Sequence, residues 1–224
     1  SQYAGWKIHR GKFFAMGSGP ARGLARTEEL YAKIGVKDEA DAAVLVLETG
    51  RLPNEEVADY VAEKCGVKPQ RVSLAVAATR SLAGGVQIAA RSVETAMHKL
   101  LELGFDVAKV VSGFGTCPIA TPAADDLAAI GRTNDCVLYG SEVFLTVSAT
   151  DAEIEPLIEK VPASSSRDYG QLFGDLFKRY DGDFYKIDPL LFSPAKIAIT
   201  NAASGRTFRA GRFDAEMLRT SLLE

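Results

Sequence analysis

The sequence predicts an α/β fold in which helices pack on mixed sheets. Strand-length apolar runs alternate with longer amphipathic segments between residues 43 and 112, which is typical of two consecutive strand-helix-strand units. The 224 residues are 47% apolar and 25% charged, the balance of a soluble globular protein with a sizeable core. The net charge is −3 and no basic block occurs, so we expect no nucleic-acid partner.

The first half of the chain alternates predicted strands and helices. The strand patterns cover residues 6–10, 12–16, 43–48, 71–78 and 107–112. One helix is predicted after the turn of residues 17–20, a second after Asn54 and a long third one after Gly84-Gly85. Asn54 is a suitable N-cap because two glutamates follow it in the first helical turn.

The second half continues as α/β without an internal repeat. The patterns predict antiparallel strands at 136–139 and 142–149, further strands at 196–200 and 206–209, and helices at 151–160, 169–179 and 214–223. Three serines within residues 163–167 predict a mobile loop. We predict an α/β core over 1–150 and a C-terminal α/β portion over 151–224, with a single continuous domain as the alternative.

The predicted helix within residues 79–103 carries a candidate catalytic stripe. At 3.6 residues per turn, four of its polar side chains fall within about 60° of one another. They are Gln87, Arg91, Glu94 and His98. Arg91 could then set the protonation behaviour of Glu94. The alternative is an ordinary half-buried helix with a surface pair, and the spacing alone leaves both interpretations open.

Two glycine-rich segments are candidate ligand contacts. Residues 17–20 could present backbone N–H groups to an anion, although their spacing matches no phosphate-binding fingerprint and a simple turn is the alternative. Residues 113–118 follow a predicted strand, a usual place for ligand contacts, with a tight glycine connection as the alternative. The candidate binding residues of the two segments are Gly17, Ser18, Gly19, Arg22, Gly113, Phe114, Gly115 and Thr116.

Other functional classes are poorly supported. Asp125-Asp126 more simply supplies first-turn acids to a helix than a metal site. Three isolated cysteines and two histidines indicate neither a zinc site nor a disulfide framework. The apolar runs are too short to span a membrane, and residues 1–6 lack the features of a signal peptide. We therefore expect a cytoplasmic protein without a metal.

Longer strings of residues support a more specific interpretation. The strings are GSGPARGLAR, GGVQIAARSVETAMHKL, GFGTCPIATPAADDLAAIGRTND, and DPLLFSPAKI followed by TNAASGRTF. Together they resemble the methenyltetrahydromethanopterin cyclohydrolase family, in order from about Ala4 to the C-terminus. Because the similarity starts inside the family's pattern, we expect the family's N-terminal segment to lie outside this sequence.

The resemblance implies a cyclohydrolase-specific α/β fold with the pterin pocket in a cleft, and a homo-oligomer, specifically a trimer. It implies that Glu94 is the catalytic carboxylate and Arg91 the catalytic arginine, with no metal or redox cofactor. The implied reaction interconverts 5,10-methenyl-tetrahydromethanopterin and water with the N5-formyl derivative. It belongs to the one-carbon metabolism of methanogenic archaea and some methylotrophic bacteria. Gln87 and the two glycine-rich segments are then candidates for contacts with the pterin, and Arg22 for a contact with the substrate's anionic tail.

These residue types suit that chemistry. The methenyl carbon is already electrophilic, so the reaction needs a carboxylate that takes a proton from water and returns it to the departing nitrogen. Arg91 cannot be the base because guanidinium keeps its proton at any working pH. Two alternatives remain, a non-catalytic pterin- or anion-binding module and a metal-free hydrolase of another cyclic amidine. A serine hydrolase is not expected, because no G-x-S-x-G motif occurs.

Overall fold

The computed structural model describes residues 5–223, except for the side chain of Tyr185. Of the residues 1–6 considered for a signal peptide, the first four lie outside this range. The chain forms two compact units, of which the first ends at Gly84 and the second begins at Gly85. Both units combine strands and helices, so the predicted α/β fold is confirmed.

The first unit contains one mixed four-stranded sheet. Its elements are β1 (Trp6–Arg10), β2 (Phe13–Ser18), α1 (Ala21–Ala25), α2 (Glu29–Ile34), β3 (Ala43–Glu48), α3 (Glu55–Cys65) and β4 (Val72–Ala77). The strand order is β1-β2-β3-β4. β1, β2 and β3 are antiparallel neighbours, whereas β3 and β4 are parallel. The carboxyl ends of β3 and β4 therefore meet at one edge of the sheet.

Side-chain alternation explains why these strands bury one face. In β3, Ala43, Leu45 and Leu47 are buried and pack with apolar residues of α1 and α3, while the intervening residues are partly exposed. α3 begins where the sequence predicts, because the Asn54 side chain accepts a hydrogen bond of 3.2 Å from the N–H of Val57. The strand at β3 and the helix start at Asn54, both predicted from the sequence, are therefore present in the structure.

The second unit contains the other mixed sheet and most of the helices. Its elements are α5 (Ser92–Glu102), β5 (Val110–Thr116), α6 (Asp126–Gly140), β6 (Glu142–Val147), α7 (Asp151–Ile154), α8 (Phe173–Arg179), β7 (Lys196–Asn201), β8 (Thr207–Gly211) and α9 (Ala215–Leu223). They follow α4 (Leu82–Ala89), inside which the division between the units falls. The strand order is β5-β6-β7-β8, and only the β6 and β7 pair is parallel.

The core of this second sheet lies on one face. Val143, Leu145 and Ile197 are buried there with Ala96 and Leu100 of α5. The predicted boundary after residue 150 falls inside this unit. The boundary stays a prediction, and β6 and β7, which lie on either side of it, are hydrogen-bonded partners.

The prediction of a strand at residues 136–139 is wrong. These residues form the last turn and a half of α6, which Asp125 caps by accepting a 2.8 Å hydrogen bond from the N–H of Ala128. Every residue from Asp135 to Gly140 is buried. A helix buried on all sides has a continuous apolar run, which periodicity cannot distinguish from a buried strand.

Smaller differences concern the segments around α7 and α8. The predicted helix 151–160 splits into α7 and a 3-10 turn at Ile158–Lys160, and the predicted helix 169–179 begins only at Phe173. Residues 163–167, predicted as a mobile loop, contain a 3-10 turn, and Ala163 and Ser166 are buried within them. Ser166 therefore takes part in packing, and Ser165 takes part in the contact with Lys99 described below.

Candidate active site

The predicted long helix of the catalytic stripe is broken at Arg91. α4 ends at Ala89, and α5 begins at Ser92 with Arg91 as its N-cap. The N–H of Arg91 donates to the carbonyl of Ile88 in a tight i to i+3 turn, and the Arg91 carbonyl accepts the first bond of α5 from Thr95. The single continuous helix was therefore a wrong prediction.

Despite the break, Arg91 contacts Gln87 of the preceding helix, and Glu94 follows in the first turn of α5. The Arg91 guanidinium donates from Nη2 to Oε1 of Gln87, one turn earlier on α4. Glu94 lies in the first turn of α5 and is half-buried, as is Arg91. The amino-terminal end of a helix carries partial positive charge, which favours a carboxylate at that position. Gln87 thus holds the arginine in place, and Glu94 lies in the first turn of the next helix.

Two glycines of β5 determine how closely α5 approaches the sheet. A Cβ on Gly113 would lie 2.7 Å from Cδ2 of Leu145 and 3.2 Å from Cγ1 of Val93. A Cβ on Gly115 would lie 2.9 Å from Oγ of Ser92. A larger residue at either position would therefore crowd the side chains of Ser92 and Val93 in the first turn of α5, which carries Glu94.

The segment 113–118, which the sequence predicts as a glycine-rich loop, is strand as far as Thr116, and this corrects the sequence interpretation. Residues 113–116 belong to β5 and pair with β6. Phe114 points to the face opposite Gly113 and Gly115, where it stacks on Phe144 with ring centroids 4.7 Å apart and remains 60% exposed. Thr116 ends the strand opposite Glu142. A contact of these residues with the pterin stays a prediction, and the structure gives the two glycines a packing role.

The other glycine-rich segment belongs to the first unit. Gly17 and Ser18 are buried residues of β2, and the carbonyl of Gly19 accepts a 3.1 Å hydrogen bond from the N–H of Arg22. Arg22 is 0% exposed, and its guanidinium forks onto Glu28, with Nε to Oε2 at 2.8 Å and Nη2 to Oε1 at 2.5 Å. Its binding of a substrate's tail stays a prediction that would compete with this ion pair.

Comparison with known proteins identifies the family. A family model described as "Cyclohydrolase (MCH)" matches residues 1–222. The chain belongs to this cyclohydrolase family. It therefore belongs among enzymes, and the resemblance of the sequence is confirmed.

Its relatives in this cyclohydrolase family come from archaea and bacteria. A methenyltetrahydromethanopterin cyclohydrolase of Methanococcoides burtonii is 51% identical over 223 residues, which is 99% of this chain and 70% of that protein. Proteins of the same name from Methylobacillus flagellatus and Methylosinus trichosporium are 48% and 47% identical. Each alignment covers 99% of this chain, and it covers 68% and 85% of those two relatives, respectively.

Sequence reasoning missed one unusual residue of this cyclohydrolase, Lys99 of α5. Its side chain is 0% exposed, and Nζ donates to Oγ of Ser165 at 3.0 Å and to the carbonyl of Leu190. Burial lowers the pKa of the ammonium from 10.5 to about 8, and the nearby Asp188 carboxylate partly opposes this. The signal was available, because Lys99 follows the buried Ala96 by three residues and so shares its side of the helix.

Two observations on the described residues concern the predictions that the protein binds no metal and does not span a membrane. Within residues 5–223, no three His, Cys, Asp or Glu side chains are grouped so that they could hold a metal ion. None of the helices in that range is long and apolar enough to cross a membrane. The expectation of a metal-free reaction stays a prediction.

Proposed function

We propose that this cyclohydrolase adds water to 5,10-methenyl-tetrahydromethanopterin and forms the N5-formyl derivative, in the reversible reaction of one-carbon metabolism. The observation that carries the proposal is the similarity to relatives of that name, which extends over 99% of the chain. The contact between Arg91 and Gln87 and the position of Glu94 at the start of α5 support the assignment of the catalytic groups.

In the proposed first step, water attacks the electrophilic methenyl carbon. Its oxygen forms a bond to that carbon, and one C–N π pair returns to nitrogen. Glu94 takes the proton that water loses, so a neutral tetrahedral carbinol results. No metal is needed in this proposal, because the substrate already carries the positive charge that a Lewis acid would otherwise induce.

In the proposed second step, the tetrahedral carbon expels one nitrogen. Glu94, now protonated, returns its proton to that nitrogen as the C–N bond breaks with its electron pair. The hydroxyl loses its proton to solvent and becomes the formyl carbonyl, so each turnover releases one proton overall. A carboxylate that shuttles a proton in this way contributes about 10²- to 10⁴-fold to the rate.

Arg91 and Gln87 have supporting roles in this proposal. The guanidinium stays charged at every working pH and favours the ionised form of Glu94. Gln87 holds the guanidinium by accepting its hydrogen bond, so it acts as a positioning residue. Glu94 then separates two positive charges, the guanidinium and the substrate ring, and attracts both.

The test follows the loss of the methenyl absorbance after the full chain is added. We expect turnover by the wild type with and without chelator, and a loss of about 100-fold or more in Glu94→Gln. Glu102→Gln is the matched control, because Glu102 is an exposed acid on the same helix. Turnover by Glu94→Gln at the wild-type rate would remove Glu94 from the mechanism, and a loss with chelator would contradict a metal-free reaction.

The same experiment separates the alternative functions. A folded wild-type chain that binds the substrate without turnover would be a binding module, and preference for another cyclic amidine would change the substrate class. A homotrimer and a cytoplasmic location complete the proposal on the strength of the family resemblance. Sedimentation equilibrium of the purified chain checks the trimer, and fractionation of the cells that contain the protein checks the location.

A further inference from the structure

A carboxylate lies at the edge of the first sheet where parallel strands end. Glu48 is the last residue of β3, and its neighbour in the parallel strand β4 is Ala77, the last residue there. In open α/β sheets, ligands bind outside the carboxyl ends of the strands. The Glu48 side chain is half-buried. It is therefore close enough to solvent for a ligand and shielded enough for a hydrogen bond to matter.

The Glu48 carboxylate is held in place by a second residue. The hydroxyl of Thr79 donates to Oε1 of Glu48 at 2.7 Å, and Thr79 is only 8% exposed. The turn after Thr79 is itself fixed, because Oγ of Ser81 donates to the carbonyl of Ala78 and accepts from the N–H of Gly84. A carboxylate oriented by buried neighbours makes a more selective acceptor than a freely rotating one.

The surroundings of Glu48 suit a flat ring. Strand alternation puts Glu48 on the face opposite the helix-covered core, and its register partner in β2 is Met16. Phe14 lies on the same face as Met16, two residues closer to the carboxyl edge, and is 55% exposed. A half-exposed aromatic ring and a thioether give an apolar surface beside a charged acceptor.

We infer that Glu48, held by Thr79, recognises the 2-amino-4-oxopyrimidine edge of a pterin. This edge carries two neighbouring donors, the N3–H and the 2-amino group, and a carboxylate can accept two parallel N–H bonds. A carboxylate has about four acceptor positions, so it can keep the bond from Thr79 at the same time. The inference rests on the proposed function, since that function makes a pterin the substrate. It assigns Glu48 a role in specificity and none in proton transfer.

The test compares two small ligands that differ only at this edge. Pterin has the 2-amino group, and lumazine has a carbonyl oxygen there that would face the carboxylate. We expect the wild-type chain to bind pterin at least about tenfold more tightly than lumazine, measured by ligand fluorescence or calorimetry. Glu48→Gln should lose that preference, because an amide can donate to the lumazine oxygen. Equal binding of the two ligands by the wild type, or binding of neither, would overturn the inference.

Variants separate recognition from folding. Thr79→Val keeps the shape of the side chain and removes the hydroxyl, so we expect a loss in pterin affinity of about fivefold with lumazine unaffected. Glu55→Gln is the control, because Glu55 is an exposed acid of the same unit. A preference for pterin over lumazine that survives in Glu48→Gln contradicts the inference. The comparison of the two ligands on the wild type requires no substitution, so it cannot be affected by misfolding.

The outcome is distinguishable from that of the proposed function. Turnover of the methenyl substrate by the wild type supports the function whatever the ligand preference is. The loss of the pterin preference in Glu48→Gln is measured by ligand binding alone, so this result does not depend on whether the methenyl substrate turns over. Pterin selectivity through Glu48 without any turnover would keep the inference and refute the function.

Discussion

Among the described residues, each unit of this cyclohydrolase contains one cation whose side chain is 0% exposed, and the two are stabilised in different ways. In the first unit, Arg22 faces the Glu28 carboxylate through two hydrogen bonds. In the second unit, Lys99 donates to neutral oxygens, the hydroxyl of Ser165 and the carbonyl of Leu190. Asp188 acts on Lys99 only through its charge.

The difference follows from the chemistry of the two side chains. A guanidinium cannot lose its proton in a protein, so a buried arginine needs a compensating negative charge. A lysine can bind its proton less tightly, and burial does lower the pKa of Lys99 to about 8. Arg22 is therefore compensated by the negative charge of Glu28, whereas the free-energy cost of burying Lys99 depends on pH.

The largest effect is expected when the charge beside Arg22 is removed. Glu28→Gln keeps the shape of the side chain but leaves the guanidinium buried without its carboxylate, which we expect to lower the free energy of unfolding by about 3 kcal/mol. Urea denaturation of the full chain measures this change. Glu29→Gln removes the same charge from the next residue, which is exposed, and should change the stability by less than about 0.5 kcal/mol. Equal effects of the two variants would show that the ion pair contributes nothing specific.

A smaller effect is expected from Lys99 at alkaline pH. Its pKa is about 8 in the folded chain, against an ordinary value of 10.5 that applies to the unfolded chain. At a pH between these two values, the unfolded chain therefore binds more protons than the folded chain. Stability must then rise with pH in that window, as the folded chain loses the buried charge. Relative to a Lys99→Met variant, we expect the wild type to gain about 2 kcal/mol between about pH 7 and about pH 10.

The Lys99→Met comparison is essential because other groups titrate in the same window. Methionine keeps most of the side-chain volume and removes the charge, so the difference between the two proteins isolates Lys99. Denaturation curves at several pH values give that difference directly. A difference that stays flat from neutral to alkaline pH would mean that Lys99 keeps its ordinary pKa in the folded chain.

Local signals in the sequence predicted much of the fold. The start of α3 follows from Asn54, whose side chain caps the helix, and β3 follows from an apolar run of strand length. The end of α6 could not be predicted, because residues 135–140 are buried on every side and lose the helical period. A helix or strand with one face exposed to solvent keeps its apolar periodicity, so it can be predicted from the sequence.

The candidate site was predictable to a smaller extent. The role of Glu94 came from likeness to a family, since spacing alone also fits a surface helix. The break at Arg91 depends on tertiary packing, in which the first turn of α5 rests against Gly115. The spacing of Lys99 from Ala96 indicates the buried side of α5, but its neutral partner Ser165 could not be predicted, because it lies 66 residues away in the sequence. Contacts between distant segments leave no local pattern.

The smallest expected effect concerns the hydroxyl beside Lys99. Ser165→Ala removes one acceptor of the buried ammonium, and we expect a loss of about 1 kcal/mol in the free energy of unfolding near neutral pH. The loss should shrink above about pH 9, because a neutral amine makes a weaker hydrogen bond than an ammonium. Ser164→Ala is the control, since Ser164 is the exposed neighbour in the same 3-10 turn. A loss in Ser165→Ala that is independent of pH would assign the effect to the bond from Ser165 to the carbonyl of Lys160. In that case Glu28 would stabilise the buried charge of Arg22, whereas Ser165 would not stabilise the buried charge of Lys99.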